Sequence, residues 1–198
     1  VDAGCETSEK LLMELQTAFI DPTEEVKPPP FALTVGRDQY NRSVIGTLGN
    51  FSLVIGKAKS RKTFFVSIAL AAASSSRNVL SRFRGHLANE KNTVLLFDTE
   101  QADYHVHRVV KRVCRLMKVD TPSNFKAYGL RKYNPSERIE LIKAAIKNEP
   151  KLGFVVIDGV RDLVTSINDE EQATAISHLF LKWTQEYQFH LMTVLHQN

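Results

Sequence analysis

Short, continuous apolar runs alternate with helical patterns along most of this 198-residue chain. Runs such as 94–97 and 152–157 have no polar residues in alternation, which is typical of strands covered on both faces. Strict alternation of strand and helix predicts a mainly parallel sheet with helices on both sides, a three-layer α/β/α fold. The predicted strands lie near 51–55, 94–97, 125–130, 152–157 and 190–195, and the predicted helices near 63–76, 102–118, from 134 and at 169–188.

The first 30 residues differ from the rest of the chain. Residues 8–20 have apolar residues at helical spacing, and Asp21-Pro22 ends the pattern. The run Pro28-Pro29-Pro30 is typical of a stiff connector. We therefore expect a helix and linker over 1–30, with the helix packed on its own domain or on a partner, and one domain over 31–198. Within that domain, 31–35 and 43–45 are predicted short strands, and 77–92 a helix end or an exposed loop.

Composition limits the class of protein. The chain is 43% hydrophobic and 24% charged, which is ordinary for a globular protein. No apolar run approaches the ~20 residues of a membrane span, and the polar N-terminus lacks the pattern of a signal peptide. Cys5 and Cys114 are too few for a disulfide framework or a metal site. The sequence thus predicts a cytoplasmic protein without a membrane partner.

Positive charge is concentrated in the middle of the chain. Residues 51–118 hold 13 basic and 4 acidic side chains, whereas residues 1–50 hold 4 basic and 8 acidic ones. Such an excess attracts nucleotides and nucleic acids. The alternative is a set of solvated helix faces, and both interpretations stay open for Arg108, Lys111, Arg112, Arg115 and Lys118.

Residues 56–63 match a phosphate-binding loop between a strand and a helix. The pattern G-x-x-x-x-G-K-[ST] fits except at its second glycine, which is Arg61 here. Backbone N–H groups of such a loop surround a polyphosphate, Lys62 would lie along the β- and γ-phosphates, and the Thr63 hydroxyl would bind Mg²⁺. The alternative is a basic turn without a ligand. The loop consists of Gly56, Lys57, Ala58, Lys59, Ser60, Arg61, Lys62 and Thr63.

Arg61 departs from the pattern because a side chain restricts the backbone conformations that glycine allows. Its guanidinium could point away from the phosphates or reach a nucleotide or a neighbouring subunit. The other strand ends support a site at this edge, because ligands of parallel sheets bind at the carboxyl ends of the strands. Those strands end in Asp98-Thr99-Glu100, in Asp158 and in His196-Gln197-Asn198.

With these motifs, residues 46–198 resemble the RecA-like P-loop ATPase family, in particular hexameric replicative helicases of the plasmid RepA and DnaB type. The resemblance implies that Glu100 activates the attacking water and that Asp158 holds Mg²⁺ through water. It also implies a γ-phosphate sensor at Gln197 or His196. Asp98 is a rival of Glu100, and Asp158 could instead be a turn or cap residue.

The resemblance implies an ATP-binding, ATP-hydrolysing motor domain that acts on DNA in plasmid or mobile-element replication or mobilisation. It further implies a ring of identical subunits, an arginine supplied by the neighbour, and additional strands after Asn198. Two alternatives stay open. One is a nucleotide-binding scaffold or regulatory protein that does not hydrolyse ATP, with Arg61 as its mark. The other is a recombinase or signalling ATPase of the same fold.

Overall fold

The structure, a computed structural model, describes residues 3–57, 60–75, 77–165 and 170–197, without the side chains of 3–9, 170 and 197. Its helices are α1 (Ala3–Thr17), α2 (Lys62–Ala73), α3 (Asp103–Met117), α4 (Pro135–Lys147) and α5 (Glu170–Tyr187). Its strands are β1 (Phe31–Gly36), β2 (Arg42–Thr47), β3 (Phe51–Lys57), β4 (Phe83–Gly85), β5 (Thr93–Asp98), β6 (Phe125–Gly129), β7 (Leu152–Asp158) and β8 (His190–Gln197).

A five-stranded parallel sheet forms the centre of the domain, in the order β3-β8-β7-β5-β6. Every residue of β5 and β7 is buried, as their continuous apolar runs predict. One apolar cluster joins α2 and α3 to one face of the sheet, and a second joins α4 and α5 to the other face. The predicted three-layer α/β fold with a mainly parallel sheet is therefore confirmed.

A second, antiparallel sheet packs against this core in the order β2-β1-β4. The prediction for residues 77–92 is wrong, because this segment contains β4 and the 3₁₀ turn Asn89–Lys91. The three residues of β4 form a strand because they pair with distant β1, for example Leu33 with Gly85. A contact between residues so far apart leaves no local periodicity in the sequence.

Helix α1 begins before the predicted residue 8 and ends at Thr17. All side chains from Lys10 to Ile20 are exposed, including six large apolar ones. These are Leu11, Leu12, Met13, Leu15, Phe19 and Ile20, which are between 59% and 75% exposed. The described part of α1 is therefore not buried against the domain. No helix among the described residues has the length and apolar character needed to cross a membrane.

Strand β3 lies at one edge of the parallel sheet and, within the described chain, pairs only with β8. Three alternate apolar residues, Phe51, Leu53 and Ile55, are 37%, 47% and 50% exposed. Phe51 contacts Phe180 of α5 edge to face, with ring centroids 6.1 Å apart. Between β3 and α5 an apolar groove therefore stays open to solvent.

Candidate functional site

The carboxyl ends of the parallel strands bring the predicted site residues to one edge of the sheet. Gly56 pairs with His196 across β3 and β8, and Asp98 pairs with Asp158 across β5 and β7. The last position of β8, Gln197, pairs with Lys57. The phosphate loop, both aspartates and the end of β8 are thus neighbours, whereas Asn198 and the side chain of Gln197 lie outside the described residues.

The described part of the loop folds closely around the side chain of Lys62. This side chain is buried, and its Nζ donates hydrogen bonds to the carbonyl oxygens of Gly56 and, at 2.7 Å, of Lys57. A Cβ atom at Gly56 would lie 2.6 Å from Oγ of Ser60, so a larger residue there would require the Ser60 hydroxyl to rotate. The first turn of α2 begins directly after the loop. Ala58 and Lys59 lie outside the described residues.

Arg61 has the backbone conformation that explains the usual glycine of the pattern. Its φ of 64° and ψ of 24° place it in the left-handed region, immediately before the first residue of α2. A residue with a Cβ pays about 1–2 kcal/mol for this conformation, which glycine adopts freely. The loop has therefore kept the glycine geometry while carrying an arginine.

Arg61 lines a shallow groove between α2 and α3. Thr63, Gln101, His105 and Arg108 line the same groove. On the neighbouring surface, Arg112 donates to Oγ of Ser67 at 3.1 Å, and its guanidinium lies 5.8 Å from the centre of the Phe64 ring. Arg112 thus joins α3 to α2, whereas the side chains of Arg108, Lys111, Arg115 and Lys118 are exposed.

Two carboxylates and one imidazole meet beside the loop. Nε2 of His196 lies 3.3 Å from Oε2 of Glu100 and 3.5 Å from Oδ1 of Asp158. The Glu100 side chain is 58% exposed, whereas that of Asp158 is 6% exposed. Burial, and then the negative charge of Asp98, raise the pKa of Asp158 to about 6, against the opposing effect of His196. A nearby cation would favour the ionised carboxylate.

Asp98 has a different environment from its rival Glu100. Its Oδ1 accepts hydrogen bonds from the backbone N–H groups of Glu100 and Gln101, at 3.1 and 2.8 Å. Its Oδ2 accepts one from the Gln101 amide at 2.6 Å. Because both oxygens of this buried carboxylate are occupied, Asp98 orders the turn that carries Glu100.

Three residues that the sequence left unassigned, Thr99, Gly159 and Asp162, lie close together next to the backbone of Asp158. The hydroxyl of Thr99 lies 2.9 Å from Oδ2 of Asp162 and 3.0 Å from the backbone oxygen of Asp158. Gly159 has a φ of 97°, and a Cβ atom there would lie 2.3 Å from Oγ1 of Thr99. The glycine after the apolar run Leu152–Asp158 is a sequence signal for this turn. The role of Asp162 has no such local signal.

The donor set fits a magnesium nucleotide better than a cation held by protein alone. Among the described residues, no group of three or more His, Cys, Asp or Glu side chains could hold a metal ion. Mg²⁺ in nucleotide sites usually takes one or two protein ligands, with phosphate oxygens and water supplying the rest. Thr63, in the first turn of α2, and Asp158, at the end of β7, could supply such ligands.

Comparison with known proteins agrees with this geometry at the level of the family. A family model described as an AAA domain matches residues 22–198. The match covers the phosphate-binding loop, the parallel sheet and the strand ends that carry Glu100 and Asp158. Among curated proteins, none matches the chain significantly.

Proposed function

Because this chain belongs to the AAA domain family of P-loop ATPases, we propose that it is a motor domain that hydrolyses ATP to act on DNA. The helicase-like role, in plasmid or mobile-element replication or mobilisation, is the finer part of this proposal. One observation carries the ATP-hydrolysing part of the proposal: Lys62, Glu100, Asp158 and His196 converge at the carboxyl edge of one parallel sheet.

In this proposal the loop and α2 hold the phosphates of ATP. The N-terminus of α2 presents backbone N–H groups and a partial positive charge to an anion. Nζ of Lys62 would exchange the carbonyl oxygens of Gly56 and Lys57 for phosphate oxygens. Thr63 and Asp158 would hold Mg²⁺, which neutralises charge on the phosphates when bound.

Glu100 is the residue we assign to the attacking water. Of the two carboxylates at the end of β5 it is the more exposed, and its backbone N–H donates to Asp98. Orienting water requires position more than unusual basicity. Asp98, whose oxygens are both occupied, serves the turn instead.

His196 is our candidate for the γ-phosphate sensor, with Gln197 as the alternative. Its ring contacts Glu100 and Asp158, and His196 is the residue of β8 that pairs with Gly56 of β3. A group in this position could report a change at the phosphates to β8. The side chain of Gln197 lies outside the described residues.

DNA and a second copy of the chain are the partners we propose. Exposed cations on α3 provide attraction for DNA phosphates. The exposed apolar side chains of α1 and of the residues just after it, from Leu11 to Phe19, provide a surface that a neighbouring copy could cover. The apolar surface supports a homo-oligomer, of the ring type that the resemblance implies.

Magnesium-dependent ATP turnover tests the proposal. We expect Lys62→Ala to abolish ATP binding, and Glu100→Gln to keep binding while lowering turnover at least about 100-fold, as loss of an essential group does. Glu90→Gln, an exposed acidic residue in the 3₁₀ turn, is the matched control. Turnover that is the same in all three variants would exclude an ATPase with this site.

ATP turnover of the wild type, together with two DNA assays, separates the alternative functions. A scaffold or regulatory protein would bind ATP without turnover in the wild type, and the strained backbone of Arg61 is the feature that favours it. A recombinase or signalling ATPase would hydrolyse ATP but not unwind a duplex. Stimulation by single-stranded DNA and a strand-unwinding assay distinguish these from a helicase.

A further inference from the structure

Four arginines surround a hollow on the small antiparallel sheet. Gly36 of β1 pairs with Arg42 of β2, and its N–H donates to the backbone oxygen of Arg82 at 2.9 Å. Two residues earlier, Thr34 pairs with Arg84 of β4. A cavity of about 60 Å³ lies beside these paired residues. We call this cavity the arginine notch; it is lined by Arg37, Arg42, Arg82, Arg84, Asn78 and Thr34, among others.

The charges of the arginine notch are not balanced by its own residues. Asp38, the acidic residue of its lining, supplies one negative charge against four arginines; its Oδ1 accepts from the N–H groups of Tyr40 and Asn41, and its Oδ2 accepts from the Asn41 amide. These hydrogen bonds hold the pKa of Asp38 below its usual range. Within the described residues, none of the four guanidinium groups has a carboxylate partner within 4.0 Å.

The positive field also reaches a neighbouring histidine. Burial, and then the charges of Arg84 and Arg42, lower the pKa of His86. Its Nε2 lies 2.8 Å from Oγ1 of Thr34, which lines the notch. A cluster of like charges at close range is unfavourable unless an anion or solvent offsets it.

The backbone that presents Arg82 is strained. Leu80 and Ser81 have φ values of 51° and 58°, in a turn closed by the bridge between Val79 and Phe83. Each left-handed residue with a side chain costs about 1–2 kcal/mol. Such strain is more common where function requires a particular geometry.

We propose that the arginine notch binds a phosphate group. Guanidinium groups present paired N–H donors that match phosphate oxygens, and Asn78 and Thr34 add polar groups at the same place. The small cavity admits a single oxyanion, while the open side leaves the rest of the ligand in solvent. The phosphate could belong to a nucleic-acid backbone or to a free phosphate ion, which share this chemistry.

The arginine notch is separate from the candidate ATP site. The small sheet packs at the last turn of α2, where a Cβ atom at Gly85 would lie 2.2 Å from the backbone oxygen of Ala72. Lys62 is at the other end of α2, about 15–18 Å away along the helix axis. Binding at the notch therefore does not depend on the proposed ATPase activity and can be measured without ATP.

Equilibrium binding of the full chain to a fluorescein-labelled oligothymidylate, over a series of salt concentrations, tests the nucleic-acid source. We expect Arg82→Gln/Arg84→Gln to weaken binding at least about 10-fold and to reduce the salt slope by about 1 to 2, as loss of phosphate contacts does. Arg131→Gln/Lys147→Gln removes two exposed cations elsewhere and is the matched control. Circular dichroism checks the fold, and the single variant Arg37→Gln replaces the double variant if that one unfolds.

Inorganic phosphate is the probe for the other source, followed by ³¹P line width and by the thermal shift relative to chloride at equal ionic strength. Loss of oligonucleotide affinity in the notch variant alone supports a nucleic-acid phosphate. Loss of phosphate-dependent broadening and thermal shift in the notch variant alone supports a free phosphate. If the notch variant and the control match the wild type with both probes, the proposal is overturned.

Discussion

The imidazole of His196 lies 3.5 Å from the carboxylate of Asp158, across the adjacent parallel strands β8 and β7. The same ring is 3.3 Å from Glu100. If His196 links the two acidic groups to the phosphates, His196→Ala should lower the ATP turnover rate by about 10- to 100-fold while nucleotide affinity changes little. Steady-state kinetics and nucleotide titration measure both quantities. His107→Ala, on the exposed side of α3, should change neither, and equal effects of the two changes would contradict the assignment.

Asp98 is expected to act through the turn that holds Glu100. In Asp98→Asn an amide N–H₂ would face either the two backbone N–H groups or the Gln101 amide, so at least one donor loses its acceptor. We expect a loss of about 1–3 kcal/mol in unfolding free energy and a reduced turnover rate. Urea unfolding and kinetics test this, with the exposed Asp103→Asn as control. Unchanged stability would mean that the carboxylate is not needed for the turn.

Buried Asp158 should make stability depend on pH. Its folded pKa of about 6 lies above the ordinary value of 3.8. Between these values the folded chain keeps a proton that the unfolded chain has released, so stability falls as pH rises from about 4 to 6. With Mg²⁺ chelated, this amounts to about 2–3 kcal/mol. Asp158→Asn should remove that part of the slope in urea unfolding at several pH values, whereas the exposed Asp120→Asn should leave it. Equal slopes in both variants would refute the assignment.

Glycine at position 61 should relieve the left-handed strain of Arg61. After the added entropy of the unfolded glycine chain is subtracted, we expect Arg61→Gly to stabilise the fold by about 0.5–1 kcal/mol. Lys118→Gly is the matched control, because Lys118 also has a φ of 59°, at the end of α3. Both changes should raise the midpoint of urea unfolding, and Arg61→Gly alone should alter nucleotide affinity. A loss of stability in Arg61→Gly would show that its side chain contributes more than its backbone costs.

Removal of residues 1–27 should leave the domain as stable as before. The described side chains of α1 are exposed and bury little apolar surface against the domain. We expect a change of less than about 0.5 kcal/mol in unfolding free energy, as for surface changes. Light scattering on the same protein tests the proposed role of α1 in association, since the mass should fall to that of one chain. Leu11→Ser/Leu15→Ser is the matched change in the full chain.

The parallel sheet could be predicted from the sequence because its strands are fully buried. The run 152–157 has no polar side chain, and the polar residue that follows it marks the edge where ligands bind. This pattern predicts the position of Asp158, which the structure places at the end of β7. The antiparallel partner β4 could not be found, because Arg84 sits in its middle and its pairing with Thr34 joins residues far apart in the chain.

Hydrogen bonds that form only in the folded turn were also beyond the sequence. Asp98 and Glu100 are both acidic residues at a strand end, and their spacing alone does not separate their environments. The structure separates them by the N–H groups that face Asp98. Arg61 is a different case, because the pattern itself indicated that its position requires the glycine conformation.

The open edge of β3 has a practical consequence for the isolated chain. In the described part of the chain no strand pairs with the outer side of β3, and a strand with such an edge and exposed Phe51, Leu53 and Ile55 is a template for strand pairing between molecules. Concentrated samples should therefore form aggregates that start at this edge. Replacing Leu53 with lysine, on the exposed face, would place a charge where an incoming strand must lie. Solubility would then be governed by one edge of the sheet rather than by the net charge of +4.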